Sequence, residues 1–228
     1  MNRRSDESLQ AVVFDLDGLM VNTEELYQEV GSELLRRRGC QFTGELLDAM
    51  MGRRTPVALQ IMIDWHQLDA TVPQLEAESD EIFPAILDRS LAMMPGLAAL
   101  LQGLEDAGIP KAVGTSSKRS FVEDVLSRLN MLDRFEFLVT AGDVTRGKPE
   151  PEVYLKACSQ LGVPPQQVMV LEDSENGCKA AIAAGTYAVA VPGFHSRNHC
   201  FAGTRLVANT LADPRIFAAL GIPQPLSS

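Results

Sequence analysis

The stretch Ala11-Val12-Val13-Phe14-Asp15-Leu16-Asp17-Gly18 decides how the rest of the chain is interpreted. Four apolar residues are followed by two aspartates, with Leu16 between them, and then by a glycine. An apolar run of this length suits a strand that is buried on both faces, as in a parallel sheet. Ligands bind at the carboxyl ends of the strands in such sheets, so Asp15 and Asp17 fall where a site is expected.

Further short apolar runs follow, with helical patterns between them. After Pro95, for example, Leu97, Leu100, Leu101 and Leu104 recur at helical spacing, and Gly108 is a natural stop. Strand–helix alternation predicts an α/β fold with a Rossmann-like parallel sheet. The other strand candidates are residues 111–113, 137–139, 168–171, 187–191 and 206–207.

The segment between the first two strand candidates interrupts this rhythm. From about Glu24 to Ser90 it has helical periodicity, and it is too long for a simple crossover connection. We expect a small helical domain over residues 23–91, inserted into a core of residues 9–22 and 92–228, with hinges near 22–23 and 93–96. Two helices are marked by Leu26, Val30 and Leu34 and by Ala58, Ile61, Met62 and Trp65.

Polar residues follow the later strand candidates as well. Thr115-Ser116-Ser117 comes after the second, Gly147-Lys148-Pro149 lies beyond the third, and Glu172-Asp173-Ser174 comes after the fourth. Each motif alone is typical of a turn or a helix cap. Their order and their common placement after strands favour convergence on one cleft.

These groups suit phosphoryl transfer. The Asp15 carboxylate could attack phosphorus, and Asp17 could protonate the leaving oxygen and later deprotonate water. Thr115 and Lys148 would hold the phosphoryl oxygens in the transition state. Mg²⁺ prefers oxygen ligands, so we expect it on Asp15 and Asp173, with Glu172 close by or bridged through water.

Together the four motifs resemble those of the haloacid dehalogenase-like hydrolase superfamily. The inserted segment is similar to the helical cap of the branch that contains phosphoglycolate phosphatase, β-phosphoglucomutase and pseudouridine-5′-phosphatase. The resemblance implies that Asp17 also offers its backbone carbonyl to the magnesium. It further implies a phosphate site formed by Gly18, Thr115, Ser116 and Lys148. The expected activity is hydrolysis of a small phosphomonoester of the sugar, polyol or nucleoside type.

Some positions depart from the family pattern. Asn22 stands where many relatives have Asp, and Tyr27 and Thr55 stand where the mutase has a cap histidine and a cap arginine. The last two departures favour a phosphatase over a phosphosugar mutase, which stays the alternative. Arg53 and Arg54 are candidates for contacts with an anionic substrate, or else solvated loop residues.

Two other interpretations compete. Residues 142–148 fit the front of a nucleotide-binding P-loop, but Pro149 stands where that loop needs Ser or Thr, and it has no N–H for a phosphate. A non-catalytic protein that binds a phosphorylated ligand on the same fold is the second. Neither gives Asp15 and Asp17 a chemical role.

Bulk properties narrow the class of partner. The chain has 228 residues and a formal net charge of −10, which disfavours binding to nucleic acid. The four cysteines have no metal or redox spacing, and no apolar run approaches bilayer length. We expect a soluble cytoplasmic protein, a monomer by default, that binds a small phosphorylated metabolite and no membrane.

Overall fold

The computed structural model describes residues 8–50 and 55–224. The chain divides into two compact units: Thr23–Leu91 forms one, and the residues up to Asn22 and from Ala92 onward form the other. We call them the helical unit and the sheet unit. The role of the helical unit as a cap, and the hinges beside it, stay predictions.

The sheet unit contains a parallel sheet with the strand order β3-β2-β1-β4-β5-β6. The chain runs outward from β1 to β3 and then returns to β4, so the strand order reverses between β1 and β4. The α/β prediction is therefore confirmed. The strands are β1 Ala11–Phe14, β2 Lys111–Gly114, β3 Leu138–Val139, β4 Val168–Glu172, β5 Tyr187–Ala190 and β6 Leu206–Val207.

Helices account for the periodic segments. The α-helices are α1 Thr23–Arg36, α2 Gly44–Met50, α3 Thr55–His66, α4 Val72–Ser90, α5 Leu97–Asp106, α6 Arg119–Arg128, α7 Glu152–Leu161, α8 Glu175–Ala183 and α9 Pro214–Leu220. Helix α5 buries the four leucines expected of it. Gly108 follows with φ of 62°, a left-handed conformation that glycine adopts at little cost. No described helix is both long enough and apolar enough to cross a bilayer.

The core of the sheet unit includes β1, which is buried along its whole length. Helix α7 packs against the sheet through Val153, Tyr154, Ala157 and Cys158. Burial of these apolar side chains stabilises the unit through the hydrophobic effect. This position of α7 brings Tyr154 within hydrogen-bond distance of Glu172, at the end of β4.

The two chain segments that lead to the helical unit are paired inside the sheet unit. Val21 and Met93 form an antiparallel bridge. The side-chain oxygen of Asn22 accepts a hydrogen bond from the Ala92 backbone N–H at 2.8 Å. An asparagine at this position therefore joins the outgoing and returning segments.

In the helical unit, α1 packs on α4, and the Tyr27 ring stacks on Phe83 at 5.2 Å. Helix α3 forms as predicted and buries Met62, one of the residues that marked it, together with Leu59. Trp65, one of the residues that marked this helix, is 49% exposed. The exposure of Trp65 depends on how the neighbouring helices pack, which the local pattern does not record.

Candidate active site

The carboxyl ends of three neighbouring strands place the predicted residues side by side. Phe14 of β1 is in register with Val113 of β2 and with Leu171 of β4. The next residues along these strands are Asp15, Gly114 and Glu172, and the Asp15 backbone N–H donates to the Leu171 carbonyl at 3.0 Å. The site thus lies where the strand order reverses, which is where open α/β sheets bind ligands.

Lys148 reaches this site from the loop before α7. Its ammonium donates to Asp15 Oδ1 at 2.5 Å, to Glu172 Oε1 at 2.6 Å and to the Gly114 carbonyl at 3.1 Å. An ammonium has three N–H groups, so all of them are used. The side chain is 8% exposed, and these contacts fix its direction.

Glu172 is held on both carboxylate oxygens. Oε1 accepts from Lys148 and from the Tyr154 hydroxyl at 2.5 Å. Oε2 accepts from the backbone N–H and the hydroxyl of Ser174, at 3.2 and 3.0 Å. A carboxylate offers about four acceptor positions, so those of Glu172 are occupied.

A glycine makes room for this carboxylate. A Cβ atom on Gly177, in the first turn of α8, would lie 1.7 Å from Glu172 Oε1. Ser174 caps the same helix, because its hydroxyl accepts the Gly177 backbone N–H at 3.1 Å. Helix α8 therefore begins against the carboxylate of Glu172.

The buried charges perturb one another. Burial, with smaller contributions from Glu172 and Asp17, raises the pKa of Asp15 to about 8, although the Lys148 ammonium opposes the rise. Burial alone would lower the pKa of Lys148, but the Asp15 and Glu172 carboxylates raise it above its ordinary value. The carboxylates thus compete for one ammonium.

Asp17, two residues beyond Asp15, accepts hydrogen bonds from two hydroxyl groups. Its Oδ2 accepts a hydrogen bond from the Ser117 hydroxyl at 2.6 Å and a longer one from the Thr115 hydroxyl at 3.3 Å. The Ser117 backbone N–H in turn donates to the Thr115 hydroxyl at 3.0 Å. These contacts orient the Asp17 carboxylate, the predicted acid–base group.

The donor chemistry fits a divalent cation. One carboxylate oxygen from each of Asp15, Glu172 and Asp173 lies within 4.8 Å of the others, the sole such cluster found in the described residues. The Asp15 and Glu172 carboxylates share one ammonium, that of Lys148. Oxygen donors of this kind suit Mg²⁺. Because the Glu172 oxygens are already engaged, Asp15 and Asp173 are the better candidates for direct ligands.

Comparison with known proteins identifies the family of this chain. Residues 12–191 match the family model described as haloacid dehalogenase-like hydrolase. The chain belongs to this family.

Its relatives include named phosphatases. The chain is 34% identical to the validoxylamine A 7′-phosphate phosphatase of Streptomyces hygroscopicus subsp. limoneus over 82% of its own length and 87% of that protein. It is 31% identical to the fructose-1-phosphate phosphatase YqaB of Escherichia coli (strain K12), over 81% and 97% of the two chains. It also aligns at 29% identity with the bifunctional riboflavin kinase/FMN phosphatase of Arabidopsis thaliana, of which it spans about half, 54%.

A solved structure shows the same fold. The crystal structure of a haloacid dehalogenase family hydrolase from Deinococcus radiodurans R1, with bound phosphate and sodium, has a TM-score of 0.80. It is 28% identical, and the match covers 96% of this chain and 100% of that one.

The structure describes some of the other residues that were predicted to bind phosphate or substrate. Ser116, with Thr115 and Lys148, lines a cavity of about 170 Å³, smaller than the ~300–1,000 Å³ typical of ligand pockets. Gly18 lies against Asp173, where a Cβ atom would approach the carboxylate at 2.7 Å. Arg53 and Arg54 lie outside the described residues.

Two polar contacts in the site were missed by the sequence analysis. The Ser117 hydroxyl makes a short contact with Asp17. Tyr154 lies on the apolar face of α7, yet its hydroxyl bonds Glu172. A buried tyrosine hydroxyl normally has a hydrogen-bond partner. A tyrosine at an apolar helix position is therefore the sequence signal that could have indicated the contact with Glu172.

Proposed function

We propose that this haloacid dehalogenase-like hydrolase is a Mg²⁺-dependent phosphatase that cleaves small phosphomonoesters with Asp15 as nucleophile. The observation that carries the proposal is the grouping of Asp15, Lys148 and Asp173 at the strand reversal, beside Asp17. Such a group supplies a nucleophile, a fixed positive charge and an acid–base residue within one site.

The reaction has two displacements. An Asp15 carboxylate oxygen attacks phosphorus and the ester P–O bond breaks, while Asp17 gives its proton to the departing alcohol. Asp17 then takes a proton from water, which attacks the aspartyl-phosphate and releases inorganic phosphate. Lys148 and Thr115 stabilise charge on the phosphoryl oxygens.

Asp15 and Asp173 would hold the magnesium ion, with the Asp17 backbone carbonyl. When bound, the ion offsets the repulsion between the anionic nucleophile and the anionic phosphate. Glu172 would act on the lysine instead, because its acceptor positions are occupied.

The substrate class we propose is a small phosphorylated metabolite of the sugar, polyol or nucleoside type, and the setting is the cytoplasm. Support comes from the relatives named for validoxylamine A 7′-phosphate and fructose-1-phosphate. In the helical unit, Tyr27 stacks on an aromatic ring, an arrangement suited to packing more than to acid–base work. That supports a phosphatase over a mutase.

The test is release of inorganic phosphate from a panel of sugar, polyol and nucleoside monophosphates with Mg²⁺. We expect turnover of at least one class by the wild type and none by Asp15→Asn, because an amide does not form the phosphoaspartate. Asp133→Asn, a matched change at an exposed position, should behave as wild type. Undiminished hydrolysis by Asp15→Asn would contradict the nucleophile assignment.

A separate assay distinguishes the mutase alternative. The enzyme is incubated with β-glucose 1-phosphate, a trace of the bisphosphate and Mg²⁺. A phosphatase liberates free phosphate. Rapid formation of glucose 6-phosphate without free phosphate would instead establish the mutase.

A further inference from the structure

Tyr154 is a buried polar residue that the proposed chemistry leaves without a role. It lies in the first turn of α7 and its side chain is fully buried. Its hydroxyl donates to Glu172 Oε1 at 2.5 Å, and the Lys148 ammonium lies 5.0 Å from the centre of its ring. One side chain therefore contacts two charged residues of the site.

The neighbouring strand leaves room for this ring. A Cβ atom on Gly114 would approach the Tyr154 ring at 3.2 Å and Val13 at 3.1 Å. The ring is thus packed closely between α7 and the sheet. A packed ring with a hydrogen-bonded hydroxyl has little freedom to turn, so it can serve as a rigid support for Glu172.

Two donors converge on the same oxygen. Lys148 and Tyr154 both donate to Glu172 Oε1, and Ser174 occupies Oε2. With four donors around it, Glu172 has no acceptor position left for direct coordination of a cation. Within the part of the chain that the structure describes, its charged hydrogen-bond partner is Lys148.

The contacts of Lys148 limit what its ammonium can bind. Its three N–H groups are used by Asp15, Glu172 and Gly114. Once the Asp15 oxygen becomes part of an acyl phosphate, its hydrogen bond to Lys148 weakens. The freed N–H can then turn to a phosphoryl oxygen, provided that Glu172 keeps the ammonium in place.

We propose that Tyr154 is a positioning residue for phosphoryl transfer: it holds Glu172 as the anchor of Lys148 and keeps Glu172 out of the coordination sphere of the metal. This proposal rests on the proposed phosphatase function. It assigns Tyr154 no contact with substrate.

The first test is Tyr154→Phe, which removes the hydroxyl and keeps the ring. We expect kcat to fall about tenfold, since one hydrogen bond to a charged group is lost, while KM stays within about twofold. Tyr187→Phe makes the same chemical change at the other end of a neighbouring strand and should leave both constants unchanged. Equal kcat for Tyr154→Phe and wild type would overturn the proposal.

The second test asks whether Tyr154 acts through Glu172. In a Glu172→Gln background, adding Tyr154→Phe should lower kcat by less than about twofold further, because the effects of coupled residues do not add. Full multiplication of the two single effects would show that Tyr154 acts independently and would overturn the proposal. A role limited to folding predicts that multiplication, together with a lowered melting temperature.

The third test does not depend on turnover. Mg²⁺ binding, measured by calorimetry, should differ from wild type by less than about threefold in Tyr154→Phe and Glu172→Gln, and be lost in Asp173→Asn. Loss of binding in Glu172→Gln would show that Glu172 is a direct ligand and would overturn this part. Absence of turnover by the wild type on all substrates would instead count against the phosphatase function, so the two failures are distinct.

Discussion

Asp17 shows how neighbours set the role of a single side chain. Its Oδ2 accepts hydrogen bonds from two hydroxyl groups, whereas Asp15, two residues earlier, accepts a hydrogen bond from a buried ammonium. Two carboxylates of one motif therefore have different electrostatic surroundings. Such a difference is what separates a nucleophile from an acid–base residue.

This difference gives a prediction for Asp17→Asn. We expect kcat for an alkyl phosphate to fall about 10²–10⁴-fold, because neither the departing alcohol nor the attacking water has its proton partner. p-Nitrophenyl phosphate has a leaving group that needs no proton, so its first displacement should persist. A rapid burst of one equivalent of p-nitrophenol, followed by a stall, is the expected trace.

Ser117→Ala serves as the comparison for that experiment. It removes one hydrogen bond to Asp17 and keeps the carboxylate, so the loss should be about tenfold or less. Steady turnover of p-nitrophenyl phosphate by Asp17→Asn at the wild-type rate would show that Asp17 has no role in the attack of water on the aspartyl-phosphate.

At the scale of elements, the start of α8 is built around Glu172. Ser174 caps the helix and also donates to Glu172, and Gly177 lets the carboxylate lie against the first turn. Helix capping and site geometry therefore share the same residues. A change in the helix should affect both stability and turnover.

We predict that Gly177→Ala lowers the free energy of unfolding by about 1–3 kcal/mol, because the added methyl group would overlap the Glu172 carboxylate. kcat should fall as well, since Glu172 must move away from Lys148. Gly44→Ala, at the start of α2 where a Cβ atom meets nothing within 4 Å, should leave both unchanged or raise stability slightly. Denaturant unfolding and steady-state kinetics measure the two effects, and a harmless Gly177→Ala would contradict the packing.

Glu105 of α5 forms an ion pair with Lys111 of β2, and this contact should make the stability of the fold depend on pH. Its carboxylate binds Arg134 at 2.8 Å and the buried Lys111 at 3.0 Å. The hydrogen bond from Arg134 is the main reason that the pKa of Glu105 falls from 4.5 to about 2, and Lys111 lowers it further. A lowered folded-state pKa means that the ionised carboxylate stabilises the fold above pH 4.5, and that this stability is lost as pH falls toward 2.

We therefore expect Glu105→Gln to cost about 1–3 kcal/mol of unfolding free energy at neutral pH, since Lys111 stays buried without its charged partner. The difference from wild type should shrink as the pH is lowered toward 2. The exposed Glu136→Gln should change stability by less than about 0.5 kcal/mol. A pH-independent difference for Glu105→Gln would show that packing, not charge, is lost.

At the scale of the whole molecule, an acidic chain with a net charge of −10 concentrates three carboxylates in one buried place. Without a cation, that cluster would repel an anionic substrate as well as destabilise the site. The molecule as a whole thus favours a divalent cation at the strand reversal.

We predict that a chelator abolishes turnover, that Mg²⁺ restores it, and that Mg²⁺ raises the melting temperature of the wild type by binding the folded state. Asp173→Asn should lose most of this shift, whereas Asp133→Asn should keep it. Full activity in excess chelator would rule out the metal-dependent mechanism.

Much of this protein is determined by local sequence. The apolar run that precedes Asp15 and the run that precedes Glu172 each correspond to a buried strand, and the polar residues after them lie at one edge of the sheet. Local patterns suffice here because burial on both faces demands continuous apolar residues, and parallel strands bring their carboxyl ends together.

Other features were decided only by the tertiary structure. Trp65 of α3 is exposed although it belongs to the predicted helical pattern, and the Ser117 hydroxyl bonds Asp17, a contact that the sequence did not predict. The contact between Tyr154 and Glu172 joins residues 18 positions apart and exists only because α7 packs on the sheet beside Gly114. Sequence period predicts where helices and strands form. Whether a residue such as Trp65 is buried, and which group a buried hydroxyl contacts, depend on how helices and strands pack, and that is a property of the folded chain.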